Sequence, residues 1–212
     1  MEFKRITMLS GHYGSGKTNL AVNYALALSA SGKKVKIADL DIVNPYFRTK
    51  DSAEELKTKN IRLIASEYAG TNVDIPAMPQ EMYSLTDDKT VRAVIDVGGD
   101  DRGALALGRI TPAILEENDF EALLVINKFR PLTPDVPSTL EVMAEIETAC
   151  GIKFTGLINN SNLGVETTAE NVVSTNQKAL EVAKLTGLPL VLTTVDESIY
   201  GEVKDKLQNV LS

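Results

Sequence analysis

Seven short apolar runs are spaced along the chain, at residues 5–9, 35–39, 61–65, 91–96, 122–127, 154–159 and 189–193. Most are apolar at successive positions rather than at alternate ones, so the strands they predict are covered on both faces. Stretches with helical spacing separate or follow them, at 18–30, 45–57, 103–117, 136–150, 168–186 and 201–211. Gly32, Gly151 and Gly187 follow three of these stretches, where a helix C-terminus favours glycine. Few folds satisfy both patterns. Strands buried on two faces need helices above and below, and parallel strands need a crossover between them. The chain is therefore expected to be α/β, a doubly wound, mainly parallel sheet of about seven strands with helices on both faces. Residues 68–90 are the least regular, broken by Pro76 and Pro79, with room for a short helix near 80–85. No internal repeat, low-complexity tract or linker interrupts the pattern, and 212 residues suit a single domain over 1–212.

An open doubly wound sheet binds ligands where its strands end, so the residues just after each run carry the chemistry. After the first run comes Gly11-His12-Tyr13-Gly14-Ser15-Gly16-Lys17-Thr18, which fits the P-loop pattern G-x-x-x-x-G-K-[ST]. Gly11, Gly14 and Gly16, with Ser15 between them, let the backbone wrap a phosphate and aim N–H groups inward. The helix that opens at Lys17 adds the positive end of its dipole. Lys17 is expected to reach the β/γ-phosphates as a catalytic group, the Thr18 hydroxyl to bind Mg²⁺, and Asn19 to belong to the nucleotide site. The plain alternative is a glycine-rich turn.

Two acidic segments close neighbouring strands. Ala38-Asp39-Leu40-Asp41 ends the second run, and Ile95-Asp96-Val97-Gly98-Gly99-Asp100-Asp101 ends the fourth. An aspartate in such a place holds Mg²⁺ through water, the role expected of Asp96. Gly99 has no side chain to obstruct the approach of a backbone N–H to a γ-phosphate. Any one of these acids taken alone reads equally as a helix cap or a solvated loop end. Taken together on adjacent strands, they read as a nucleotide site.

Charge and cysteine usage narrow the partners. A net charge of −7 and a pI near 4.9 argue against a nucleic-acid partner or an anionic membrane surface. No apolar stretch approaches the ~20 residues a membrane-spanning helix needs, and residues 1–5 lead straight into a strand, which does not read as a secretory leader. The single cysteine, Cys150, cannot form an internal disulfide, so a reducing, cytoplasmic location is expected. It lies at a helix end and reads as a small buried apolar residue, and no iron–sulfur cluster is expected.

The P-loop, Asp39-Leu40-Asp41 with Ile42-Val43-Asn44-Pro45, and Asp96-Val97-Gly98-Gly99-Asp100 resemble the MinD/ParA/nitrogenase iron-protein group of P-loop ATPases, the CobQ/CobB/MinD/ParA family. The similarity runs nearly end to end. It implies that Asp41 orients water in a first switch loop and joins the metal site, and that Gly99 belongs to a second. It also implies that Asn160, in Gly156-Leu157-Ile158-Asn159-Asn160-Ser161, contacts adenine. The spacing alone does not say which aspartate does which, and an Asn-rich turn is the other reading of Asn160. By resemblance the cofactors are ATP and Mg²⁺, hydrolysis is slow, and the chain switches a client protein, with an ATP-dependent homodimer as a further expectation.

One departure stands out. Members of this group carry a signature lysine after the leading glycine of the P-loop, where this chain has His12 followed by Tyr13. A homodimer is therefore expected to be weaker or differently built. His12 reads as a γ-phosphate contact or pH sensor, or as a loop residue facing solvent or a partner. Arg48, Arg102 and Arg130 are candidates to replace the lysine, because a planar guanidinium suits phosphate oxygens.

Two other functions fit the same fold. One is an ATP-dependent small-molecule ligase or carboxylase, with a substrate pocket built from residues 68–90. The other is a GTPase metallochaperone, suggested by Asn127-Lys128-Phe129-Arg130. The guanine motif N-K-x-D needs a carboxylate to accept from the base, and Arg130 stands in that position. The chain also has one His and one Cys, too few for the metal clusters of such chaperones.

Overall fold

The structure, a computed structural model, describes residues 4–40, 53–65, 80–98 and 101–211. Strand β1 (Ile6–Ser10) leads into helix α1 (Lys17–Ala30), followed by β2 (Val35–Asp39), α2 (Ala53–Thr58) and β3 (Arg62–Ala65). A single 3-10 turn (Gln80–Tyr83) and α3 (Ser84–Asp87) precede β4 (Arg92–Asp96). Then come α4 (Asp101–Gly108), α5 (Thr111–Glu117), β5 (Phe120–Ile126), α6 (Val136–Cys150) and β6 (Gly156–Asn159). The chain continues through α7 (Ala169–Thr186), β7 (Leu190–Thr194), α8 (Glu197–Val203) and β8 (Val210–Leu211).

Among the described residues all strands run parallel in one sheet of eight, in the order β3-β2-β4-β1-β5-β6-β7-β8. From β1 the chain moves to one side to build β2, β3 and β4, and then crosses β1 to place β5 on the other. The direction of winding thus reverses beside β1, which opens the crevice at its carboxyl end. Successive residues within a strand face opposite ways, and both sets are buried. Met8, Ile95, Leu124 and Ile126 join one core with Leu107, Ile114, Val142 and Ile146 of the helices above. Leu9, Val94, Val125 and Ile158 join the other, with Ala21, Val22, Ala25 and Leu28 of α1 and Leu56 of α2. Each large aliphatic side chain so buried contributes about 1.5–3 kcal/mol of transfer free energy, which is why the strands read as unbroken apolar runs.

Helix α6 follows from its ends. Asp135 caps it by accepting from the Ser138 N–H at 2.9 Å, Pro137 opens its first turn, and Gly151 closes it in the left-handed region at φ 68°. Two expectations need correction. Residues 103–117 are not one helix, because Pro112 lacks an N–H and starts a fresh first turn, dividing the stretch into α4 and α5. Residues 201–211 are not one helix either. The Asp196 carboxylate accepts from Ser198 N and starts α8 early, α8 ends at Val203, and the chain returns to pair Val210 and Leu211 with β7. Among the described residues the sheet therefore has eight strands, the eighth being the two-residue β8.

Candidate functional site

The loop after β1 is built around its glycines. Strand β5 lies so close that a Cβ on Gly11 would run into the Val125 carbonyl oxygen and sit 3.1 Å from Ser15 Oγ. The Ser15 N–H donates to the His12 carbonyl at 3.0 Å, which folds the loop back on itself. Gly16 then takes φ 86°, a left-handed conformation that side chains disfavour, and a Cβ there would collide with Asn160 Nδ2. Gly16 is also the N-cap of α1 and, having no side chain, makes no cap hydrogen bond of its own. The N–H groups of a helix start, at the positive end of a 14-residue dipole, suit an anion. Ser15 Oγ is buried with no hydrogen-bond partner among the described residues, and Lys17 is only 5% exposed. Thr18 is half-buried, Asn19 and Tyr13 are exposed, and His12 is half-buried.

On the β4 side of β1, Asp96 ends its strand fully buried, in register with Leu9 of β1 and with Asp39 of β2. The sheet ladder runs on past these ends: Leu40 N–H donates to Asp96 O at 2.8 Å, and Val97 N–H to Leu9 O at 2.9 Å. Two carboxylates, Asp39 and Asp96, therefore end adjacent strands on the β4 side of the loop. The metal expected from the sequence falls to Thr18, Asp41 and Asp96, and Asp39, at an equal offset from the end of its apolar run, is a further carboxylate at this edge. Asp41, Gly99 and Arg48 lie outside the described residues, as does the side chain of Arg102. Helix α4 packs its first turn on both strand ends. A Cβ on Gly103 would lie 2.7 Å from Leu40 O and 2.8 Å from Gly98 N, so only glycine fits.

On the β5 side, two residues hold the loop from the opposite flank. Asn160 Nδ2 donates to the Ser15 carbonyl at 2.7 Å, and Asn160 Oδ1 accepts from the Thr194 hydroxyl at the end of β7. Asn160 is thus fastened to the loop. Arg130 Nε donates to the Gly14 carbonyl at 2.9 Å.

Its neighbour Lys128 goes elsewhere. Its ammonium donates to Asp135 O at 2.9 Å and to Thr139 Oγ1 at 2.5 Å, in the first turn of α6. Burial pulls Lys128 down to a pKa of about 8, with Lys178 acting in the same direction and Asp135 and Glu181 opposing. The unfolded chain keeps this proton up to the ordinary value of 10.5, whereas the folded chain releases it near 8. Between those values the unfolded state binds more protons, so this group makes stability rise with pH, and its cost is fully present below pH 8. The stability of the wild type relative to Lys128→Met should therefore increase between pH 7.5 and 10, as measured by urea unfolding. A pH-independent difference would contradict the buried charge.

Comparison with known proteins bears directly on this site. Residues 6–209 match the CobQ/CobB/MinD/ParA nucleotide binding domain. The chain belongs to that family. Among curated relatives, an iron–sulfur cluster carrier protein of Salmonella typhimurium is 48% identical over 50 residues, 24% of this chain and 14% of that protein. The carrier of Escherichia coli is 51% identical over 49 residues, 23% of this chain and 13% of the relative. The family member described here thus spans about a seventh of the length of the curated relatives it matches. Among solved structures, FtsY from Mycoplasma mycoides superposes with a TM-score of 0.62 at 20% identity, over 92% of this chain and 61% of that one. Chloroplast FtsY from Physcomitrella patens gives 0.63 at 17%, over 93% and 60%. These two share the fold.

The relatives overturn one expectation. Reasoning from a lone cysteine excluded an iron–sulfur cluster partner, but the matched relatives are named for carrying such clusters. Cysteine count describes only this chain's own ligands, and a nucleotide-binding domain can serve a cluster that other residues or other proteins hold. Cys150 itself is 4% exposed, with burial raising its thiol above the usual range. No helix among the described residues is long and apolar enough to cross a membrane.

Proposed function

We propose that this family member binds Mg-ATP at the loop of residues 11–18, hydrolyses it slowly, and acts as a nucleotide-driven switch on a client protein. The observation that carries the reading is the glycine-lined loop closing onto the start of α1, with Lys17 buried in it and Asp96 buried at the next strand end. Lys17 neutralises the β/γ-phosphates, while Gly11, Gly14, Ser15 and Gly16 surround them with backbone N–H groups. Thr18 and Asp96 are the groups that would hold Mg²⁺, which when bound neutralises charge developing on the transferred phosphoryl group. Asp41 orients the attacking water and Gly99 brings a backbone N–H toward the γ-phosphate, as the family resemblance implies. The relatives' names favour a client that handles iron–sulfur clusters.

The test is phosphate release with Mg-ATP. Asp41→Ala should keep nucleotide affinity within about twofold and slow release by about 10²-fold, the scale of a lost general acid–base group. That variant, holding ATP, should then retain an iron–sulfur protein from a lysate. Normal turnover by Asp41→Ala would sink the assignment of that aspartate, and absence of any nucleotide binding by the wild type would sink the reading.

A further inference from the structure

Arg130 occupies a place that neither the family match nor the loop motif assigns. The turn that carries it is stiff. Asn127 Oδ1 accepts from Phe129 N–H at 3.0 Å, Asn127 O accepts from the Arg130 N–H at 3.2 Å and from the Thr133 hydroxyl at 2.7 Å, and Arg130 O accepts from Thr133 N–H at 3.1 Å. From this turn the side chain lies along the P-loop. Its Nε donates to Gly14 O at 2.9 Å, and a Cβ on Gly14 would be 3.1 Å from Nε and 3.3 Å from Cδ. The two terminal nitrogens make no hydrogen bond or ion pair among the described residues, on a residue that is exposed. A guanidinium anchored by one edge to the loop therefore presents its plane and remaining donors to whatever the loop holds.

The sheet order says which end of the ligand that is. Asp39 and Asp96, the carboxylates suited to a metal, stand on β2 and β4, on one side of β1. Arg130 and Asn160 follow β5 and β6, on the other side. A nucleotide whose metal-bound terminal phosphates point toward β4 must extend its nucleoside toward β5 and β6.

We propose that Arg130 is a positioning residue for the purine base, a shelf on which the nucleoside end of the nucleotide rests, rather than a substitute for the missing lysine at the terminal phosphates. A planar, weakly hydrated guanidinium stacks on aromatic faces in a way that a lysine ammonium does not. This rests on the nucleotide reading above and deepens it. It places a base contact on the loop itself, so that loop and base are held by one side chain.

Calorimetric titration with two probes, ADP and inorganic tripolyphosphate, separates the base from the phosphates. Arg130→Ala should weaken ADP about tenfold and leave tripolyphosphate within twofold, and Arg130→Lys should behave like Arg130→Ala because it loses the plane while keeping the charge. In turnover, KM for ATP should rise while kcat stays within twofold. Parallel losses for both probes, or recovery of ADP affinity by Arg130→Lys, would assign the residue to the phosphates and overturn the proposal. Unchanged affinity for ADP would overturn it as well. If the wild type binds neither probe, the nucleotide site itself fails, an outcome distinct from a wild type that binds ADP with Arg130 making no difference.

Discussion

Replacing Lys17 by alanine is expected to lower Mg-ATP affinity by about 100-fold while leaving the fold in place. The lysine is the first residue of α1, follows the left-handed Gly16, and is buried in the loop at 5% exposure. A charge-assisted hydrogen bond to phosphate is worth about 1.5–3 kcal/mol, and each 1.4 kcal/mol is a factor of ten in affinity. The helix start tolerates alanine, the best helix former, and the N-cap is Gly16, which the change leaves in place. Calorimetry on the folded variant is the measurement. Unchanged affinity would show that the loop does not hold phosphate through this residue.

The second large effect is on stability. Arg5 lies at the amino end of β1, 5% exposed, with Nη1 donating to Leu85 O at 2.9 Å and to Val91 O at 3.2 Å. Its Nε and Nη2 pair with the Glu117 carboxylate, which is itself buried at the end of α5. Arg5→Ala strands that carboxylate and leaves two carbonyls without their donor. Breaking one side of a buried pair typically costs about 3–5 kcal/mol, because the surviving charge is left without compensation. Urea unfolding should show a loss of that size. The double variant Arg5→Met with Glu117→Leu should recover most of it, since an apolar pair of similar volume is often as stable. Nucleotide affinity should not change in either, because Arg5 sits about 20 Å from the start of the loop at ~3.3 Å per strand residue. A single variant as stable as the wild type would mean that the pair contributes little.

Much of this fold is legible in the sequence. Strands buried on both faces cannot alternate in polarity, so the runs announced a covered parallel sheet. Helix α6 announced its own limits through Asp135, Pro137 and Gly151. The eighth strand did not. Val210–Leu211 is two residues long, set by pairing with β7 and by the turn at Asn209, whose φ is 55°. So short a run carries no periodicity. Arg130 was visible as the residue standing where a guanine-binding acid belongs and as one of three arginines that could replace the signature lysine. Its contact with Gly14 comes from β5 lying beside β1, a neighbour relation between residues 116 positions apart that no local pattern encodes. Asn160 shows the reverse. Resemblance singled it out for the base, and the structure adds a bond to Ser15 O that a resemblance does not supply.

Gly103 has a mechanical consequence. It leaves no room for even a Cβ between itself and the backbones of Leu40 and Gly98, which follow the ends of β2 and β4. Backbone meeting backbone at that range has no play. A flexible side chain in the gap would absorb a small shift by changing rotamer, but here nothing can yield. Any displacement of either backbone must move α4 as a rigid rod, and α4 packs along α6 on the outer layer. A shift at either strand end would thereby reach the outer helical layer through α4.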